Sequence, residues 1–260
     1  MEKMKILLVT GMGKSKDGMY YNLFPSAWTT KGRYHYTTYY PHMLAYTSSL
    51  LKERTDHDVL MVDGNMQGYT INKYASELEK LNPDLIIMES DCLTYPEDME
   101  MLQLVKEGCG TKVLMCGAYP TAEPEKVLAD VADYVAIGEF ELAVCEFVQS
   151  GFEKSTLGIY PNGRRALIVP DELPFPENDD IKRRDYCRLY ACEYNEIEII
   201  STKGCPYDCN FCVSRNVYDG KASYRMRDPQ NIVKEIEYLR REIPDLGGIF
   251  FNDRTHTVNK

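Results

Sequence analysis

The sequence predicts an α/β protein: a doubly wound, flavodoxin-like parallel sheet to about residue 150, then the opening of a second α/β unit. Two observations predict it. Short apolar runs alternate strictly with stretches of helical apolar spacing, five of each, which is the signature of parallel strands joined by crossover helices. A proline-rich, acidic stretch then interrupts the rhythm, and a second βα pattern restarts after it.

Taken in order, the strands are expected at Ile6–Val9, Val59–Val62, Leu85–Met88, Val113–Cys116 and Tyr134–Ile137. The helices between and after them are expected at Met43–Arg54, Ile71–Leu81, Glu97–Glu107, Glu123–Asp130 and Glu139–Gln149. The connection from Gly11 to His42 is far longer than the usual 2 to 6 residues and carries Tyr20, Tyr21, Trp28, Tyr34, Tyr36, Tyr39 and Tyr40. A long aromatic loop of this kind covers a flat ligand or forms an interface. Leu157 to Val169 reads as a hairpin turning at Asn162-Gly163, and Pro170 to Asp180 as an extended linker. The resulting division is 1–155, a first domain; 156–192, hairpin and linker; and 193–260, the second unit. In that unit Glu196–Thr202 is a strand, Asp228-Pro229 caps a helix with Ile232, Val233, Ile236 and Leu239 on one face, and Gly248–Asn252 is a further strand.

Composition excludes several classes. With 44% hydrophobic and 27% charged residues the chain is an ordinary folded protein, and a net charge of −10 argues against a general affinity for nucleic acid or an anionic membrane. The apolar run before Gly11 is too short for a signal peptide or a membrane span, so a cytoplasmic protein is expected. Nine cysteines, an odd number, do not form a secreted disulfide framework. Cys92, Cys109, Cys116, Cys145, Cys187 and Cys192 are scattered and read as inert, mostly buried thiols.

Cys205, Cys209 and Cys212 are different. They stand in C-x3-C-x2-C spacing directly after the strand at Glu196–Thr202. Three thiolates on one short loop can hold three corners of an iron-sulfur cubane and leave the fourth iron free for a ligand. Structural zinc and unliganded thiols are the alternatives. Zinc wants four protein ligands, and only His256, Cys187 or Cys192 stands as a distant fourth.

The run Gly204-Cys-Pro-Tyr-Asp-Cys-Asn-Phe-Cys212 resembles the signature of the radical S-adenosylmethionine (SAM) superfamily. The resemblance implies a four-iron four-sulfur cluster on Cys205, Cys209 and Cys212, SAM chelated at its open iron, and Phe211 against the adenine. It also implies reductive cleavage of SAM to a 5′-deoxyadenosyl radical, in a site that must exclude oxygen. Downstream, Tyr224-Arg-Met-Arg-Asp-Pro and Gly248-Ile-Phe-Phe-Asn-Asp resemble the first helix and second strand of that family's (βα) barrel. Asp253 then falls where SAM contacts are expected, with a helix cap as its alternative role.

Three segments of the first domain, around Glu89-Ser-Asp-Cys, Met115-Cys-Gly-Ala-Tyr-Pro and Ile137-Gly-Glu-Phe-Glu141, together resemble the cobalamin-binding domain that precedes the barrel in one large radical SAM subclass. That subclass contains anaerobic magnesium-protoporphyrin ester cyclases and many methyltransferases. The resemblance implies that Ser90, Asp91, Gly117, Ala118, Tyr119, Gly138, Glu139 and Phe140 border cobalamin, with small residues at Ser90 and Gly117 admitting its dimethylbenzimidazole tail. The chain also departs from the pattern. No histidine follows the first strand to serve as an axial ligand, and Asp63-Gly-Asn-Met-Gln-Gly68 mimics that motif's spacing after the wrong strand, so the resemblance implies a cobalt bound without a histidine below it, as is common in the subclass, with His35 or His42 as the alternative. Cys116 and Phe140 stand where glycines are usual.

These likenesses imply a radical SAM enzyme performing methyl transfer or cyclisation on an unactivated carbon. A small-molecule substrate and an electron donor such as ferredoxin or flavodoxin would be its partners. A cobalamin- or partner-binding module without catalysis, and a radical SAM enzyme whose first domain binds no cobalamin, are the alternatives. Only some 55 residues follow Cys205 and a βα unit takes about 30, so the barrel segment is expected to be truncated and the isolated chain to be inactive.

Overall fold

The computed structural model describes residues 2–14, 20–21, 39–186, 195–214, 223–255 and 258. Most of the aromatic loop, together with His35, Cys187, Cys192 and His256, lies outside the described residues.

Five parallel strands form the main sheet: β1 (Lys5–Thr10), β2 (Asp58–Val62), β3 (Leu85–Glu89), β4 (Lys112–Cys116) and β5 (Tyr134–Val135). Their spatial order is β2-β1-β3-β4-β5, the flavodoxin-like arrangement, with the order reversing beside β1. Alternate residues of each strand feed two cores. Ile6, Leu8, Leu85, Ile87 and Leu114 pack on one face against α1 (His42–Arg54) and α6 (Glu141–Gln149). Leu7, Val9, Ile86, Met88 and Val113 pack on the other against α2 (Ile71–Leu81), α3 (Tyr95–Cys109) and α5 (Pro124–Asp130). Most of these side chains are wholly buried, each contributing roughly 1.5–3 kcal/mol. The helix expected over Glu123–Asp130 is α5, and a further short helix, α4 (Ala118–Ala122), precedes it.

Local chemistry sets the ends. Thr70 caps α2 by accepting from Lys73 N, and Gly110 ends α3 in a left-handed conformation. The α1 helix is buried nearly all round, because chain from the second half packs on the side turned away from the sheet. There Glu177 accepts hydrogen bonds from Ser48 Oγ at 3.0 Å and Lys52 Nζ at 2.6 Å, and Asp180 accepts from Met61 N at 2.8 Å. The proline-rich stretch is thus a strap fastened to the first domain rather than a loose extended linker.

The expected hairpin over Leu157–Val169 does not form. Tyr160 N and Ile137 N instead pair this segment to the edge of the sheet beside β5. The Asn162 side-chain amide donates to the carbonyls of Thr156 and Ile159 and closes a turn that competes with strand pairing.

In the second unit β6 (Asn195–Ile199) pairs in parallel with β9 (Leu246–Phe251), and Leu239 of α7 (Pro229–Glu242), with Ile243 at its C-cap, packs on Ile197 and Ile199. Asp228 caps α7 by accepting from Gln230 N, as the Asp-Pro pair predicts. Between these elements, β7 (Thr202–Lys203) and β8 (Arg225–Met226) form a two-residue antiparallel ribbon. A buried Arg183–Glu235–Arg227 triad, with contacts of 2.6 and 2.5 Å, ties the strap to α7. Among the described residues no helix is long and apolar enough to cross a membrane.

Candidate functional site

The carboxyl ends of the sheet strands form the rim where ligands bind in doubly wound folds. Ser90 and Gly117 meet there, since Ser90 N donates to Cys116 O at 2.9 Å. Gly117 has φ of 102°, and a Cβ at this position would lie 2.7 Å from Ser90 O, so only glycine fits. Ala118 is buried beside Leu167 and Val213, which places the residue following Cys212 directly over the end of β4. Tyr119 packs on Tyr95 with ring centroids 4.4 Å apart.

Several rim side chains are committed to one another. Ser90 Oγ donates to Asp98 Oδ2 at 2.6 Å, and Met12 N to Asp98 Oδ1 at 2.8 Å. Burial drives the Asp98 carboxyl up to about 7 against the opposing hydrogen bonds of Ser90, Thr94 and Met12. Sequence reasoning missed Asp98, whose only signal is an acid in the first turn of α3. Asp91 accepts from Leu93 N and Thr94 N and shapes the entry to that helix. Asp63 accepts from Thr10 Oγ1, Tyr186 OH, Asn65 N and Met66 N, which makes the Asp63–Gly68 motif a saturated turn.

Glu89, at the end of the central strand, has both carboxylate oxygens buried without a hydrogen-bond partner. Burial, then the charges of Glu141 and Asp91, push its carboxyl well above the usual range, so it is held neutral. Cys116, beside it, is likewise pushed up by burial. Gly138 N donates to Thr121 Oγ1 at 3.1 Å. Glu139 receives a bidentate Arg225 at 2.6 and 2.7 Å, and Phe140 is buried in the apolar core. The residues linked to cobalamin by resemblance thus line one rim, but Phe140 faces the core and Glu139 faces Arg225.

His42 is buried at the start of α1, 4.0 Å from Glu198, with neither ring nitrogen hydrogen-bonded. Burial and then Arg183 and Arg227 hold it well below its ordinary pKa. Of the scattered cysteines in the described residues, Cys116 and Cys145 are buried, Cys109 is half-buried and Cys92 exposed.

The cysteine loop leaves the ribbon at Gly204. A Cβ there would lie 1.8 Å from Ser223 O, and φ is 78°, so glycine lets the two ends of the loop close on each other. Ser223 N donates to Cys205 O at 2.9 Å. Cys205 Sγ lies 3.2 Å from Thr255 Oγ1, and Cys212 Sγ donates to Ser214 Oγ at 3.3 Å. Asp253 accepts from the backbone and hydroxyl groups of both Ser201 and Thr202, at 2.5 to 2.9 Å. It therefore clamps the chain just ahead of the loop. Phe211 is 93% exposed and Tyr207 63%.

All three loop cysteines are free thiols, Cys209 exposed and the others half-buried. This donor set fits an iron-sulfur cluster better than zinc, whose structural sites take four ligands. The sulfurs are not gathered round a common point: among the described residues no group of three or more His, Cys, Asp or Glu side chains is placed to hold a metal ion. An open groove of about 450 Å³ runs elsewhere, beside edge strand β2, between Met61, Met66, Asp180 and Tyr186.

No family model matches the chain. An uncharacterised methyltransferase of Pyrococcus horikoshii is 29% identical over 240 residues, covering 86% of this chain and 50% of that protein. The anaerobic magnesium-protoporphyrin IX monomethyl ester cyclase of Rubrivivax gelatinosus is 25% identical, covering 85% of this chain and 42% of its own. The chain thus spans about half the length of the curated relatives it matches. Among solved structures, the cobalamin-dependent SAM radical enzyme OxsB with aqua-cobalamin superposes with a TM-score of 0.72 at 16% identity, over 97% of this chain and 34% of that one. The radical SAM methyltransferase TsrM of Kitasatospora setae, with cobalamin and a four-iron four-sulfur cluster bound, gives 0.62 at 16% identity, over 97% and 48%. The chain therefore shares the fold of cobalamin-dependent radical SAM enzymes over almost its whole length, and its curated relatives include methyltransferases and cyclases, as its cysteine loop and sheet rim imply.

Proposed function

We propose that this chain is the cofactor-bearing part of a cobalamin-dependent radical SAM enzyme that carries out methyl transfer or cyclisation on an unactivated carbon of a small molecule. One observation carries the reading: a loop of three free thiols in x3, x2 spacing seated directly over the carboxyl rim of a doubly wound sheet, with Val213 against Ala118. Cys205, Cys209 and Cys212 would hold a four-iron four-sulfur cluster, which supplies the electron that reductively cleaves SAM. Cobalamin at the rim would supply the methyl group, or the related radical chemistry of the cyclases.

The residues of this chain do the positioning. Asp253 fixes the Ser201-Thr202 turn from which the loop springs. Phe211 offers an exposed ring to the adenine, and burying it under SAM would exclude water from the site. Gly117 and Ser90, packed against each other where β3 and β4 end, would border the nucleotide tail of cobalamin. The electron would come from a small donor of the ferredoxin or flavodoxin class, in the cytoplasm.

A second reading has its own support. Glu139, Phe140 and Ser90 are already engaged within the protein, which favours a first domain that docks rather than binds cobalamin. Anaerobic reconstitution with iron and sulfide, followed by titration with hydroxocobalamin, separates the readings. The expected result is a brown protein whose visible charge-transfer band is lost when all three cysteines are replaced by alanine, and which binds one corrin. An unchanged spectrum in the triple variant would remove the cluster assignment. Cluster formation without corrin binding would favour the cobalamin-free enzyme.

A further inference from the structure

The ribbon that carries the cysteine loop is fastened to the first domain by two acids from a single turn. Lys203 and Arg225 stand directly opposite each other in the β7–β8 pair. They reach across to the entry of α6, Lys203 Nζ to Glu141 Oε1 in its first turn at 2.5 Å and the Arg225 guanidinium to both oxygens of Glu139 just before it. The acids are two residues apart and almost wholly buried, at 1% and 3% side-chain exposure, while Lys203 is 4% and Arg225 19% exposed. Backbone is sewn into the same arrangement: Ile168 N donates to Glu139 Oε2 at 2.8 Å, and Ile168 O accepts from Arg225 Nη1 at 2.7 Å. Burial alone would raise the Glu139 carboxyl, but the Lys203 charge and the Arg225 and Ile168 contacts outweigh it and hold it ionised.

The geometry has a specific consequence. Lys203 lies two residues before Cys205, and Arg225 two residues after Ser223, whose amide holds the Cys205 carbonyl. Both ends of the loop are thereby referred to one turn of the first domain, the turn that immediately follows Gly138 at the rim. Bidentate guanidinium–carboxylate contacts fix orientation as well as distance, and buried pairs of this kind contribute more to geometric definition than to net stability. Long solvent-facing ion pairs would leave the ribbon free to pivot; these do not.

We infer that Glu139 and Glu141 are positioning residues, a clasp that sets the distance between the cysteine loop and the rim of the first domain. This rests on the cluster and cobalamin reading above. Radical chemistry between two cofactors depends on that distance, since misplacement by about 1 Å can lower a rate on the order of 100-fold.

The test uses the full-length protein loaded with both groups, in which reduced cluster and cob(II)alamin are each paramagnetic and their separation is read by pulsed electron–electron dipolar spectroscopy. The wild type is expected to give one narrow distance distribution. In Glu139→Gln/Glu141→Gln the distribution, read on the molecules that carry both groups, should broaden at least twofold. The milder Glu139→Gln, which keeps an acceptor for Ile168 N, should broaden it less and serves if the double variant does not fold. A folded, doubly loaded Glu139→Gln variant whose distribution stays as narrow as the wild type's, even with a lowered melting temperature, overturns the clasp. A wild type that binds no corrin overturns the underlying reading instead.

Discussion

The rim of the sheet and the cysteine loop sit face to face, yet they are built on opposite terms. At the rim nearly every polar side chain is buried and already bonded within the protein: Ser90 to Asp98, Asp63 to Thr10 and Tyr186, Glu139 to Arg225. On the loop the thiols form no disulfide and make only single contacts to hydroxyls, Cys205 to Thr255 and Cys212 to Ser214, while Phe211 is almost wholly in solvent. The difference teaches that the rim is shaped by folding, whereas the loop is anchored at its base by Asp253, Gly204 and the clasp and keeps its thiols available for a ligand. Substitutions at the rim should therefore register in stability, and substitutions along the loop in ligand binding.

The largest effect on the rim side should be a pH dependence centred on Asp98. Its folded carboxyl titrates at about 7, raised from 3.8, so the folded chain keeps a proton that the unfolded chain has released. Stability contributed by this group falls as pH rises through the window from about 4 to about 7, by on the order of 4 kcal/mol for a shift of roughly three units. Asp98→Asn should remove that slope, as read by denaturant unfolding at pH 5 and pH 8. An equal decline in the variant would assign the slope to other groups.

Asp253→Ala, which strips four hydrogen bonds from the base of the loop, should destabilise by about 3 kcal/mol and lower the yield of reconstituted cluster. It is the one place where the two regions should respond alike, and a normal melting temperature would show that the base needs no clamp. Gly117→Ala should destabilise by about 2 kcal/mol, through its left-handed backbone and the clash with Ser90 O, with circular dichroism melts as the readout. Glu89→Met goes the other way. Removing a buried carboxyl with no partner should stabilise the ligand-free chain by about 1 kcal/mol, and a loss instead would reveal a partner that Glu89 needs for folding. Smallest of all, Phe211→Ser should change stability by less than about 0.5 kcal/mol while weakening SAM binding in equilibrium dialysis.

Much of this contrast was legible in the residues. Buried parallel strands read as unbroken apolar runs, so β1 to β4 fall within a residue or so of their expected bounds, and α2 matches its expected span. The three cysteines declare themselves by local spacing. The hairpin expected over Leu157–Val169 failed because Asn162 spends its amide on nearby carbonyls, a competition that alternation and a turn pair do not reveal. The strap failed to read as structure because its anchors, Glu177 and Asp180, reach partners more than 110 residues away.

By itself the sequence determined the doubly wound sheet, the order of its elements and the gathering of three thiols on one short loop, because period, spacing and glycine placement act over a few residues. Only the tertiary structure decided what the rim acids do. Glu139 and Arg225 are 86 residues apart, Glu141 and Lys203 are 62, and nothing local distinguishes a carboxylate awaiting a ligand from one awaiting an arginine. Folding brings the ribbon down on the β5–α6 turn, and in that dry contact each charge must find its opposite or be neutralised. Glu139 and Glu141 found theirs, while Glu89, buried at the same rim without a partner, stays neutral.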